Sequence, residues 1–233
     1  MKDGCKVKIC GITNVGDALL AAGEGADYLG VVVEVPYSPR SLTVEGAREI
    51  FSRAPRPAVA LVYQISTERI QYLVESLHPH ALQFLNPAQK IITWCKKEFP
   101  RIECWQSLHL PPAGEGSNRE FISAQIRAGC AAGADVIVPD TAAVVDGTQR
   151  YGGTGRVSDW QIARELKEDC PVPVFLAGGI DPANVGAAIK AVNPDGIDLC
   201  SGVEAQPGKK SPDKLKALMQ AVREANNERN GQG

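Results

Sequence analysis

The chain has 233 residues, 44% of them hydrophobic and 22% charged, with a net charge of −2. That balance fits one large globular domain with a full core, and it gives no electrostatic reason to expect nucleic acid or an anionic membrane as partner. No apolar run approaches the roughly 18 residues that a membrane span needs. The seven cysteines are odd in number, scattered and without a CxxC pair, so neither a disulfide framework nor a zinc site is suggested.

Met1-Lys2-Asp3-Gly4 leads into the first strand without the apolar stretch of a signal peptide, and a cytoplasmic location is expected. That strand, Val7–Ile12, carries Cys10 near its C-terminal end, followed by Gly11. A strand cysteine is ordinarily a small core hydrophobe, but at this end of a barrel strand it would face the mouth. The second strand, Tyr28–Val33, is followed by Tyr37-Ser38-Pro39-Arg40-Ser41, where Arg40 is either a solvated loop charge or a clamp for an anion. After the third strand, Ala58–Tyr63, Ile70, Leu73, Val74 and Leu77 recur at helical spacing. The fourth, Ala81–Leu85, runs into Asn86-Pro87, a capping side chain before a proline.

The fifth strand, Ile102–Ser107, precedes a surface loop at Pro111–Gly116 and a helix within Asn118–Ala132. The sixth, Val136–Asp140, ends in a carboxylate that is costly to bury alone and either caps a turn or works in a site. A helix is expected after Ser158. The seventh strand, Val174–Gly178, is followed by the helix start Asp181-Pro182, and the eighth is Ile197–Ser201. Ser211-Pro212-Asp213 then opens a last helix with Leu215, Leu218, Met219 and Val222 on one stripe, and the polar segment Asn226–Gly233 is expected to fray.

Eight mostly apolar strands alternating with helices are the count of a closed (β/α)₈ TIM barrel spanning residues 1–233 as a single domain. A doubly wound open sheet, the alternative, usually has five or six strands. Three glycine clusters fall at or after the last three strands: Gly152-Gly153-Thr154-Gly155, Gly178-Gly179 and Ser201-Gly202. Taken singly each is a tight turn, but together, where this fold gathers a phosphate, they suit an anion that needs many N–H donors and little bulk.

Lys8-Ile9-Cys10-Gly11-Ile12-Thr13, Asp17-Ala18, Gly25-Ala26-Asp27 with Leu29-Gly30, Ser38-Pro39-Arg40, Leu82-Gln83 and Asp140-Thr141 occur in this order. They continue into Gly152–Gly155 with Asp159-Trp160, and Asp198 through Ser201-Gly202-Val203-Glu204 to Pro207-Gly208-Lys209-Lys210. Over nearly the whole chain this series resembles the phosphoribosylanthranilate isomerases of tryptophan biosynthesis. The resemblance implies an Amadori rearrangement of N-(5′-phosphoribosyl)anthranilate to 1-(2-carboxyphenylamino)-1-deoxyribulose 5-phosphate, without metal or cofactor. By motif, Cys10 would be the general base and Asp140 the general acid, and Arg40 would hold the anthranilate carboxylate. The turns with Gly153, Gly155, Gly178, Gly179, Ser201 and Gly202 would hold the phosphate. The partner implied is a small phosphosugar, with no nucleic acid or membrane, in a monomer or homodimer.

The chain departs from that pattern in strands two to five. Leu85-Asn86 stands where the family usually has His-Gly, Tyr63-Gln64 where Val-Asn is usual, and Val31-Val32-Val33-Glu34 replaces a phenylalanine-rich run. Gln106-Ser107 falls where a lysine is common. These changes lie toward the anthranilate end and leave two further readings, a paralogue acting on another aminosugar phosphate and a non-catalytic phosphosugar-binding protein. The histidines, His78, His80 and His109, are expected at the surface.

Overall fold

The computed structural model describes residues 4–110, 119–145, 148–151 and 159–231. The barrel strands are β1 (Lys6–Ile9), β2 (Tyr28–Val32), β3 (Ala58–Val62), β4 (Ala81–Phe84), β5 (Glu103–Leu110) and β6 (Val136–Val145). After a hairpin strand, β7 (Thr148–Tyr151), come β8 (Phe175–Leu176) and β9 (Gly196–Leu199). Strands β6 to β1 pair in parallel in sequence order, β9 pairs β1, and β8 pairs β9. A parallel bridge from Ile137 to Val174, with the Ala177 amide donating to the Pro139 carbonyl at 2.8 Å, closes β8 onto β6. The result is a (β/α)₈ barrel.

Every predicted strand is present, and the helices follow as α1 (Val15–Glu24), α2 (Val44–Arg53), α3 (Thr67–Leu77), α4 (Gln89–Glu98), α5 (Arg119–Ala132), α6 (Trp160–Asp169), α7 (Val185–Val192) and α8 (Pro212–Gly231). Their start signals are local. Asp159 accepts from the Gln161 and Ile162 amides at the head of α6, and Asn14 accepts from the Asp17 amide at the head of α1. Asn86 departs from its expected role: α4 starts at Gln89 without a side-chain cap, and the Asn86 side chain accepts from the Gln64 amide at 2.8 Å.

Alternation along the strands divides the apolar residues into two layers. One side, with Ile9, Ala60, Val62 and Leu82, packs against the helices, while Val59, Leu61, Val136 and Val138 fill the barrel. Trp105, Tyr28 and Phe175 form an aromatic floor inside the barrel, with ring centroids 4.9 to 5.7 Å apart. Above the floor, 6.0 Å from the Trp105 ring centre, lies the ammonium of Lys8, a residue with no solvent exposure.

Three features differ from the sequence reading. The sixth strand, expected to end at Asp140, runs on to Val145 and enters an antiparallel hairpin in which Ala142–Val145 pair with Thr148–Tyr151. Strand β5 extends to Leu110, and the proposed surface loop that follows lies outside the described residues. The C-terminal segment expected to fray from Asn226 is helical as far as Gly231. Asn226 accepts from the Cys5 amide at 2.8 Å, and Arg229 donates to the Pro194 carbonyl at 3.1 Å, which anchors the last turns. No helix among the described residues is long and apolar enough to cross a membrane.

Candidate active site

A cavity of about 250 Å³ opens at the C-terminal ends of the strands, and Cys10, Arg40, Asp140, Gly178, Gly179 and Ser201 all contribute to its wall. These are six of the nine residues that the sequence singles out. Gly202 packs directly behind, where an added Cβ would come 2.1 Å from the Ile180 carbonyl. Gly153 and Gly155 lie outside the described residues.

The glycine turns after β8 and β9 touch where Gly202 packs on Ile180. At Gly178, with φ of 91°, a Cβ would strike the Thr141 hydroxyl at 2.1 Å, so only glycine lets the turn after β8 close against the end of β6. The chain after β9 enters a short 3-10 turn, Ser201–Val203, and then a small antiparallel ribbon of β10 (Glu204–Gln206) and β11 (Lys209–Lys210).

Cys10 follows β1, and its amide donates to the Leu199 carbonyl at 2.7 Å. Two residues earlier on the same face, Lys8 donates to Asp198 Oδ2 at 2.8 Å within the barrel. Gly30 on β2 makes room for both, since a Cβ there would lie 2.9 Å from Lys8 Nζ and 3.0 Å from Cys10 Sγ. The neighbouring Cys200 thiol, and after it Lys8, draw the Cys10 thiol below its ordinary range against the opposing effect of burial. Burial works against the charge on Lys8, but Asp198 and Cys10 outweigh it and keep the ammonium protonated.

Asp140 retains some exposure through the cavity, while protein encloses it on its other sides. That burial, followed by the nearby charge of Asp198, pushes its carboxyl up to about 7 against the weaker opposing bond from the Thr141 amide. The cavity therefore holds one group biased toward losing its proton and one biased toward keeping it. The second oxygen of Asp198 has no hydrogen-bond partner among the described residues.

Arg40 is not a free loop charge. Its Nε and one terminal nitrogen grip Glu204 at 2.8 and 2.5 Å, and Lys210 Nζ reaches the same carboxylate at 3.0 Å. Burial acts to raise Glu204, yet Arg40 and Lys210 hold its carboxyl below the usual range. A guanidinium has five N–H donors, and Glu204 engages two of Arg40's. The Arg40–Glu204 and Lys8–Asp198 pairs escaped the sequence reading. The signal available was period-two placement of Lys8 with Cys10, which gives the face but not the partner across the seam.

At the opposite wall, Leu85 lines the cavity, with Gln83 beneath it. Gln83 donates to the Ser107 hydroxyl at 3.0 Å, and the Gln106 amide donates to the Phe84 and Asn86 carbonyls at 3.2 and 3.0 Å. Gln106-Ser107 and Asn86 thus stitch the top of β4 to β5. Tyr63 and Glu34, expected at the cavity's aromatic end, instead line a separate depression above β2 and β3, where Glu34 pairs with Arg69. His80 and His109 are half-buried rather than at the surface: His80 sits 3.4 Å from Glu103, and His109 Nε2 donates to the Leu85 carbonyl at 2.6 Å. His78 is exposed.

A closed (β/α)₈ barrel with a thiol and a raised carboxyl in one mouth, beside two glycine turns, is the architecture of an acid–base enzyme. A family model described as N-(5′-phosphoribosyl)anthranilate isomerase matches residues 127–221. The N-(5′-phosphoribosyl)anthranilate isomerase of Methanocella arvoryzae is 37% identical over 222 residues, covering 94% of this chain and 98% of that protein. Among solved structures, the isomerase from Pyrococcus furiosus superposes with a TM-score of 0.77 at 25% identity, covering 94% of this chain and 99% of that one. A phosphoribosylanthranilate isomerase in complex with reduced 1-(o-carboxyphenylamino)-1-deoxyribulose 5-phosphate matches with a TM-score of 0.74 at 28% identity, with the same coverage. The chain belongs to the N-(5′-phosphoribosyl)anthranilate isomerase family.

Proposed function

We propose that the chain carries out its family's isomerisation with Cys10 as general base and Asp140 as general acid. Asp140 gives its proton to the ribose ring oxygen as the bond from that oxygen to C1′ breaks, and the anilino nitrogen's lone pair forms a protonated imine at C1′. The imine acidifies C2′, and the Cys10 thiolate takes its proton. The electrons left behind form an enolamine, which ketonises at C2′ as a proton returns to C1′. Arg40 holds the anthranilate carboxylate, and the turns containing Gly178, Gly179, Ser201 and Gly202, with Gly153 and Gly155, hold the phosphate. Gripping both ends of the substrate fixes C2′ between base and acid, and such positioning can supply several kcal/mol of barrier reduction.

The observation that carries this reading is that Cys10 and Asp140 line one cavity, where Cys200 and Lys8 draw the thiol down and burial pushes the carboxyl up to about 7. The scheme needs no metal or cofactor, and the active species is a monomer or homodimer in the cytoplasm. The test follows loss of phosphoribosylanthranilate fluorescence. Cys10→Ala and Asp140→Asn should each lower kcat by about 10²–10⁴-fold, and neither should complement a tryptophan auxotroph lacking the isomerase. Turnover at the unsubstituted rate in either variant would overturn the assigned role.

A further inference from the structure

Cys200 has no part in that acid–base scheme, yet it shares the cavity wall with Cys10. The barrel seam puts it there. Ile9 pairs with Leu199 across β1 and β9, so Cys10 and Cys200 are the next residues along two adjacent parallel strands, a spacing of about 4.8 Å. Both leave their strands on the side that faces the cavity. Gly11 then turns with φ of 71°, and a Cβ on it would lie 2.6 Å from Cys200 Sγ, so the second thiol closes over the turn that follows Cys10.

We propose that Cys200 is a positioning residue for Cys10: its S–H points at the Cys10 sulfur and favours the thiolate. The proposal rests on the reading of Cys10 as the base. Cys200 Sγ lies 3.8 Å from Glu204 Oε1. That oxygen already takes Arg40 Nε at 2.8 Å, Lys210 Nζ at 3.0 Å and the Gly208 amide at 3.2 Å, so a long thiol contact adds little there. The proton of Cys200 is better used on Cys10.

The charges around Cys10 explain why a neutral donor matters. Lys8 lies on the strand that leads to Cys10, Asp198 on β9, Asp140 midway along β6, Arg40 in the loop after β2, and Glu204 and Lys210 on the ribbon of β10 and β11. Lys8 is paired with Asp198, while Arg40 and Lys210 are both paired with Glu204. Each cation near the thiol is therefore partly offset by a carboxylate. A hydrogen bond to sulfur, by contrast, gains strength only when the sulfur is ionised.

The test uses the full chain with Cys200→Ala and Cys200→Ser. Two pH profiles are read, that of kcat/KM and that of the rate at which iodoacetamide alkylates Cys10, followed on the Cys10 peptide by mass spectrometry. Cys200→Ala should move the acidic midpoint of both profiles up by about one pH unit, the size expected for losing one hydrogen bond to a charged group. Cys200→Ser keeps a donor and should return both midpoints most of the way. Unmoved midpoints in Cys200→Ala, with Cys200→Ser alike, would overturn the proposal. An alkylation midpoint that moves while the kcat/KM profile stays put supports the thiol contact and instead overturns Cys10 as the base.

Discussion

At Asp140, burial sets the protonation state of one residue against the stability of the fold. Its folded-state carboxyl, at about 7, lies above the 3.8 of an unperturbed aspartate, so the native state binds the proton more tightly than the unfolded chain does. The sign follows: below pH 4 both states are protonated and nothing is lost, and as pH rises from 4 to 7 the ionising unfolded state gains relative to the native one. Asp140→Asn removes the titration. We expect its urea midpoint to exceed that of the unsubstituted chain at pH 8 by the equivalent of about 4 kcal/mol, and the gap nearly to close at pH 4. A gap independent of pH would show that the carboxyl ionises normally in the fold.

At the scale of elements, the seam between β1 and β9 carries the buried Lys8–Asp198 pair at 2.8 Å, above the Trp105 ring. A charge taken out of water is repaid only by its partner. Lys8→Met should therefore cost about 3–5 kcal/mol by leaving Asp198 buried and unpaired, while Lys8→Met with Asp198→Leu should recover most of that loss. Denaturant unfolding of the four-member cycle measures the coupling, and additive losses would mean that the two side chains do not depend on one another. The same seam sets Cys10 beside Cys200, so the packing that holds the barrel shut also arranges the thiol. The loop after β2 is tied down likewise, since Arg40 reaches Glu204 on the ribbon beyond β9.

In the whole molecule, the last helix meets the segment that leads into the first strand. Asn226 on α8 exchanges hydrogen bonds with both backbone groups of Cys5, accepting at 2.8 Å and donating at 3.3 Å, and even a Cβ on Gly4 would press on its amide. Asn226→Ala leaves a partly buried amide and carbonyl without those bonds, and we expect a loss of about 1–2 kcal/mol in urea unfolding with kcat unchanged. A variant as stable as the parent would mean that water replaces the side chain.

Much of this was legible in the chain itself. A strand buried on both faces must be apolar throughout, so eight short apolar runs alternating with helical stripes announce the barrel, and Cys10 and Asp140 stand out because each ends such a run. Capping side chains such as Asp159 and Asn14 act within three residues, so they too are legible. What only the tertiary structure decided is who meets whom across the seam. Arg40 finds Glu204 over a separation of 164 residues, and Lys8 finds Asp198 over 190. The same closure brings Cys200 to Cys10 and moves Tyr63 and Glu34 out of the cavity. Periodicity fixes the face a side chain takes, because that depends on the local backbone alone. Its neighbour depends on register and barrel closure, which no local stretch of sequence contains.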